Sequence, residues 1–348
     1  MKDIVGSDLR KITELVSPEV IDQFREKKIF ITGGTGFFGT WLLEWFCYAN
    51  NTITLDAEVV VLTRNPEAFK KKAPHLFTHR GFSFIQGDIK TFIFPTGAFD
   101  IVIHAATEAS EKLNTENPIE MIDSIVQGTR NTLEFCIARG VKKMLFVSSG
   151  AVYGKQPPEV THVDEDCFLG PDITNPGNAY AESKRLAELL CAVFSKVHGI
   201  DIPVARCFAF VGPYLKLDIH FAIGNFIKNG LEGKSIEIKG DGTPLRSYMY
   251  SADLVVWLLT ILINGESSRI YNVGSDVALS IKELAEVVRE CFNNEIEVEV
   301  KQKPQWGKPI EQYIPSVNRC RKELKLSNYY DLETSILKTK IWNEGVKY

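Results

Sequence analysis

The sequence predicts an α/β chain built on a doubly wound parallel sheet with a smaller, discontinuous cap, and three observations predict it. Short apolar runs alternate with helical patterns. A glycine-rich turn follows the first run directly. The ionisable and hydroxyl side chains that could do chemistry fall just past the ends of the runs, where an open parallel sheet gathers its ligands.

Residues 1–27 read as a helical extension, with Leu9, Ile12, Leu15, Val16, Val20, Ile21 and Phe24 on an apolar stripe suited to packing or to a subunit contact. Lys28–Thr32 is the first strand. Gly33-Gly-Thr-Gly-Phe-Phe-Gly39 follows, and then Trp41, Leu42, Trp45 and Phe46 recur in helical register. Strand, glycine turn and helix in that order make a dinucleotide-binding fingerprint: Gly34, Gly36 and Gly39 satisfy G-x-G-x-x-G. Glycine serves there for a tight turn and for close backbone approach to a pyrophosphate, which the helix N-terminus attracts.

Further strands are expected at Glu58–Thr63, Phe82–Gln86, Phe99–His104, Lys142–Ser148 and Asp201–Arg206, with helices near Pro118–Arg139 and Ala179–His198. Past Arg206 the texture changes. Phe208–Leu217 is loop-like, His220–Leu231, Trp257–Ile263 and Ser280–Phe292 read as helices, and Ser235–Lys239 and Glu295–Lys301 as strands. The division expected is 28–206 plus 254–291 for the dinucleotide-binding part, and 207–253 plus 292–348 for the cap.

Bulk properties exclude several classes. With 24% charged residues and a net charge of −4, the chain has no basic stripe for nucleic acid. No apolar run approaches the ~18 residues of a membrane span, and residues 1–28 lack a signal-peptide core. Seven cysteines without C-x-x-C spacing read as reduced thiols of a cytoplasmic protein. His75 and His79 lack a third ligand in sequence, so no metal site is expected.

Tyr180 and Lys184 stand four residues apart in Asn-Ala-Tyr-Ala-Glu-Ser-Lys, so one helix face presents a phenol and an ammonium together. A cation near a phenol favours its ionised form and makes it a workable acid/base. Ser149, at the end of the fifth strand, has no His/Asp pattern that would make it a hydrolytic nucleophile.

Together these residues resemble the extended short-chain dehydrogenase/reductases, in the branch that modifies nucleotide-activated sugars on a Rossmann-type sheet. Gly87-Asp-Ile89, His104-Ala-Ala-Thr107, Val147–Gly154, Gly240–Leu254 and Tyr271-Asn-Val-Gly274 are similar to further family segments. The resemblance implies an enzyme with Ser149, Tyr180 and Lys184 as catalytic residues. It implies cofactor contacts from Gly33, Thr35, Gly36, Phe37, Phe38, Gly39, Arg64, Asp88, Ile89, Ala105, Ala106 and Thr107, besides Tyr180 and Lys184. Lys184 would bind the nicotinamide ribose and depress the pKa of Tyr180. Ser149, Gly150, His220, Asn225 and Arg246 would meet a nucleotide-diphosphate sugar. The family's usual partner is a second copy of the chain, and the apolar faces of Pro118–Arg139 and Ala179–His198 suit such a homodimer.

Two departures bear on the reaction. Sugar 4,6-dehydratases of this family carry an Asp-Glu pair after the serine; here Gly150 and Ala151 stand there, and neither moves a proton. The decarboxylases usually keep a glutamate in the same stretch, leaving Asp164 or Glu165 as displaced candidates. The second strand ends Thr63-Arg64 where NAD-selecting members have a carboxylate, and a guanidinium suits the 2′-phosphate of NADP(H), with NAD the alternative. The expectation is an NADPH-dependent reductase of a nucleotide-linked 4-keto-6-deoxyhexose for surface polysaccharide. A nucleotide-sugar 4-epimerase is the alternative, and a catalytically idle nucleotide-binding subunit is a third reading. Ala209 and Ile125 replace amides common in the family, which bears on the sugar's identity.

Overall fold

The structure is a computed structural model and describes residues 2–106, 111–218, 221–292, 296–305, 307 and 309–345. Its main sheet has seven parallel strands: β1 (Lys28–Thr32), β2 (Glu58–Thr63), β3 (Phe82–Gln86), β4 (Ile101–His104), β5 (Lys143–Ser149), β6 (Val204–Cys207) and β7 (Ile270–Val273). Their order is β7-β6-β5-β4-β1-β2-β3. The chain starts in the middle, runs outward through β2 and β3, and returns to β4 on the other side of β1. That reversal opens a crevice at the carboxyl ends of β1 and β4. Buried His104 ties this centre together: its Nδ1 lies 2.7 Å from Thr32 Oγ1 and its Nε2 3.0 Å from Thr129 Oγ1. Burial pushes its pKa down to about 3, so the ring is neutral.

The principal helices are α1 (Lys2–Leu15), α2 (Phe37–Thr52), α3 (Pro118–Arg139), α4 (Ala179–His198), α5 (Ala222–Leu231), α6 (Ser251–Asn264), α7 (Ile281–Cys291) and α8 (Leu332–Gly345). Helices α2 and α6 cover one face of the sheet, and α3 and α4 the other. The sequence shows only Trp257–Ile263 of α6, because the helix is buried all round and has no polar face to betray its period.

The N-terminal segment packs within its own chain. Leu9, Ile12, Val16, Val20, Ile21 and Phe24 are buried in the core shared with α2 and α6, and Leu15 is left partly exposed. Asp8, wholly buried on α1, accepts hydrogen bonds from Tyr250 (2.6 Å), Tyr330 (2.8 Å) and Lys338 (2.8 Å).

The cap has its own core, where Ile223, Phe226 and Ile227 of α5 meet Leu284 and Val288 of α7 and Ile336 of α8. Helix α7 therefore shares its core with the cap rather than with the sheet, to which the sequence division attaches it. In the other direction Val317, Cys320 and Leu326 pack under the sheet, although the division gives them to the cap. Both differences arise because contacts between distant segments leave no local pattern. Among the described residues no helix is long and apolar enough to cross a membrane.

Candidate active site

The glycine turn is built for backbone approach. Gly33 has φ +74°, and a Cβ there would lie 2.4 Å from the Ala105 carbonyl oxygen. A Cβ on Gly39 would lie 2.3 Å from the Gly33 carbonyl oxygen, so α2 could not start so close to β1. Gly36 is the N-cap of α2 and has no side chain to occupy the first-turn N–H groups, which leaves them to an anion. Thr35, Phe37, Phe38, Ala105 and Ala106 border this turn. The cradle, with no room for side chains and a helix N-terminus at its base, fits the pyrophosphate of a dinucleotide.

On the adenosine side, β2 ends in Thr63, whose hydroxyl lies 3.4 Å from that of Thr35. Arg64 follows, exposed, with its carbonyl accepting from Gln86 Nε2. Asp88 turns one carboxylate oxygen onto the Lys90 N–H at 2.9 Å. Ile89 packs beneath Gly128, and its carbonyl accepts from Asn131 Nδ2 at 3.0 Å. Thr107 and His220, both expected in the site, lie outside the described residues.

At the end of β5, Ser149 Oγ accepts from the Ala151 N–H at 3.2 Å, and the hydroxyls of Tyr180 and Tyr313 face it. Ser148 points the other way, donating to Glu188 at 2.5 Å, and Glu188 is gripped by Arg206 through two bonds of 3.0 and 2.7 Å. Tyr180 sits at the start of α4, where its N–H donates to Asn114 Oδ1 at 2.9 Å. One turn on, the Lys184 ammonium donates to the Val147 carbonyl at 2.7 Å and lies over the Phe146 ring.

The pKa balance differs from the expectation. Burial pushes Tyr180 up to about 12, opposed by its hydrogen bond with Ser149. Burial also pulls Lys184 down to about 8, against the nearby Cys207, Glu188 and Cys191. Desolvation is the largest cause for both groups, and Ser149 is the neighbour that lowers the phenol's pKa.

Position 150 explains itself. A Cβ on Gly150 would lie 2.7 Å from Phe208 Cζ and 2.7 Å from the Tyr313 hydroxyl oxygen. An acidic side chain there would have to push aside the tips of both rings. Neither displaced acid takes its place: Asp164 is exposed, and Glu165 accepts from the Asn272 N–H at 2.8 Å and faces Arg319. Among the described residues no carboxylate is hydrogen-bonded to Ser149, Tyr180 or Tyr313.

Tyr313 is the residue that sequence reasoning missed. It reaches the site because the short strand Gln312–Tyr313 pairs with Leu245–Arg246, a contact between distant segments with no motif of its own. Its ring packs at a tilt of 35° against Phe208, with centroids 4.7 Å apart, and Tyr180 and Arg246 lie near its hydroxyl. Beside it opens a cleft of about 410 Å³ lined by Gly154, Lys155, Arg246, Glu311, Gln312 and Tyr313. Arg246 lies 4.0 Å from Glu311 and donates to its neighbour's carbonyl. Asn225 is half-buried in the first turn of α5. Ile125 is buried among the apolar residues of α3 and β5, where an amide would lack a partner.

A family model described as the NAD dependent epimerase/dehydratase family matches residues 29–274. The chain is 28% identical over 306 residues to UDP-glucuronic acid decarboxylase 1 of Xenopus tropicalis, covering 86% of this chain and 70% of that one. It is 33% identical over 230 residues to UDP-glucuronate 4-epimerase of Thermodesulfobacterium geofontis, covering 64% and 68%. Among solved structures, a UDP-glucose 4-epimerase from Thermotoga maritima with UDP-glucose superimposes with a TM-score of 0.78, at 22% identity, covering 92% of this chain and all of that one.

Proposed function

The chain belongs to the NAD-dependent epimerase/dehydratase family, and from that premise we propose that it is an NADPH-dependent reductase of a nucleotide-linked 4-keto-6-deoxyhexose, in the supply of sugars for surface polysaccharide. The observation that carries this reading is that Gly150 and Ala151 follow Ser149 and, among the described residues, no carboxylate is hydrogen-bonded to Ser149, Tyr180 or Tyr313. A site with the Ser149–Tyr180 pair and no adjoining carboxylate can move a hydride and a proton but has nothing to eliminate water with. The same feature speaks against the decarboxylation that the names of most of the similar relatives suggest.

When bound, the reduced dinucleotide supplies the hydride to C4. Tyr180 delivers the proton to the oxygen there, and Ser149, beside that hydroxyl, holds the sugar oxygen in line. Lys184 meets the ribose. Arg246, at the mouth of the cleft, takes the diphosphate. Thr63 and Arg64 support NADPH, since no acid stands at the end of β2 to repel a 2′-phosphate.

A 4-epimerase with retained dinucleotide is the second reading, supported by the epimerase among the relatives. The homodimer is also a proposal. Ile119, Ile122 and Ile137 on α3 and Leu186, Leu189, Val193 and Val197 on α4 are exposed on neighbouring helices, an apolar surface that an isologous pairing would cover.

The test is the cofactor of the purified protein, followed by assay on 4-keto-6-deoxy nucleotide sugars. An empty site and stoichiometric NADPH consumption support the reductase. Retained NAD, with interconversion of C4 epimers and no net oxidation, overturns it in favour of the epimerase.

A further inference from the structure

Helix α4 begins without help from its own cap residue. Asn178 precedes the first turn, yet its side chain accepts no N–H of the helix. Its Nδ2 donates instead to the Asp172 carbonyl at 2.9 Å. The Ala179 N–H is taken by the Pro176 carbonyl. The next N–H belongs to Tyr180, the second residue of the helix, and this is a donor that an N-cap side chain ordinarily serves.

The acceptor comes from 66 residues away. Asn114, half-buried on the short helix Glu111–Glu116, takes the Tyr180 N–H on Oδ1 at 2.9 Å and donates from Nδ2 to the Gly177 carbonyl at 2.7 Å. One side-chain amide thus grips the chain on both sides of the helix start. Its base is firm: the Asn117 N–H donates to the Leu113 carbonyl at 2.9 Å, and Asn117 is itself the N-cap of α3. Leu113 and Tyr180 also pack against one core. One turn further along α4, Lys184 holds the Val147 carbonyl. Tyr180 therefore stands between two anchors. Lys184 sets the depth of the helix against β5, and Asn114 fixes its open end.

We propose that Asn114 is a positioning residue for Tyr180: it caps α4 from another helix and so holds the phenol in line with Ser149 for proton transfer. The inference rests on the proton transfer assigned to Tyr180, and it holds whether that transfer serves reduction or 4-epimerisation. Asn114 acts through the helix, so binding of sugar and dinucleotide should be spared when it is removed. What suffers is the aim of the phenol, because a helix whose first turn has lost its cap frays there.

The assay is NADPH turnover on a nucleotide-linked 4-keto-6-deoxyhexose, or C4 interconversion if the protein retains its dinucleotide. Asn114→Ala should lower kcat about ten- to a hundredfold, since a small misplacement at a reacting centre can cost ~10²-fold. KM and dinucleotide Kd should stay within about threefold of wild type, the pattern of an interaction that serves the transition state alone. Asn114→Asp keeps the acceptor for the Tyr180 N–H and should recover most of the rate. In a Tyr180→Phe background Asn114→Ala should cost almost nothing more, because no proton is left to aim, whereas independent effects would multiply. Hydrogen exchange read by mass spectrometry should be about two- to thirtyfold faster at residues 179–182 in Asn114→Ala, the range of a lost cap, with the rest of the chain protected as before. Wild-type kcat in Asn114→Ala overturns the proposal, as does a loss that Asn114→Asp fails to restore or that multiplies with Tyr180→Phe. Faster exchange throughout the chain overturns it too, since Asn114 would then serve overall stability. If Tyr180→Phe alone turns over like wild type, the assignment of the proton to Tyr180 is what fails, and this inference falls with it.

Discussion

The Lys184 ammonium donates to the carbonyl of Val147, two residues before Ser149, at a distance of 2.7 Å. The bond ties α4 to β5 and so sets the depth at which Tyr180, one turn earlier on α4, meets the serine. Lys184 acts on the phenol here through placement. Burial draws its pKa down to about 8.

Tyr180→Phe should therefore lower turnover by ~10² to 10⁴-fold, the usual range for general acid–base assistance, with dinucleotide affinity nearly unchanged. Loss of less than about tenfold would remove Tyr180 from the proton transfer. Stopped-flow hydride transfer with deuterated dinucleotide reads the chemical step directly.

Lys184 titrates near the working range, with its pKa drawn down to about 8. Below that value it carries its charge; above it the charge is lost. Affinity for the full dinucleotide should fall as pH rises through about 8, and Lys184→Met should show the low affinity at every pH. A wild-type profile that stays level well above that pH would show that the ammonium is not a ribose ligand.

Arg64→Ala should weaken NADPH far more than NADH. A hydrogen bond to a charged group contributes ~1.5 to 3 kcal/mol, which corresponds to about a tenfold to hundredfold difference in Kd. Equal losses for both dinucleotides would return the chain to the NAD-using members.

Gly150→Ala tests the filled space. The added methyl meets Phe208 and the Tyr313 hydroxyl at 2.7 Å, and overpacking of this kind costs ~1 to 3 kcal/mol. Denaturant titration should show that loss, and Tyr313→Ser in the same chain should recover part of it. Gly150→Asp alone should not confer dehydration.

Leu189→Asp on the exposed face of α4 should convert a dimer to monomers without unfolding either copy. Leu189 is 60% exposed in the single chain, so the substitution leaves the subunit's own core intact. Sedimentation at micromolar concentration reads the outcome, and a wild-type monomer there would end the dimer proposal.

Much of this was legible in the sequence where the information is local. Lys28–Thr32, the glycine turn and α2 follow each other without interruption, and Tyr180 and Lys184 share one helix turn. The less legible parts are those made by distant segments. Tyr313 enters by pairing with a strand some seventy residues earlier, and α6 has no polar face to reveal its period. The pKa of Tyr180 is hidden for a related reason: the charge of Lys184 can be read from the sequence, but the desolvation that raises the phenol's pKa depends on the packed fold.

Asp8 meets its partners late in the life of the chain. Tyr250, Tyr330 and Lys338 are all synthesised long after it, and at ~5–20 residues per second α1 waits on the order of tens of seconds for them at the ribosome. Throughout that interval its carboxylate has none of these three donors, and the side of its apolar stripe that meets α6 is uncovered. The docking of α1 becomes a late event, finished only once Lys338 has been made.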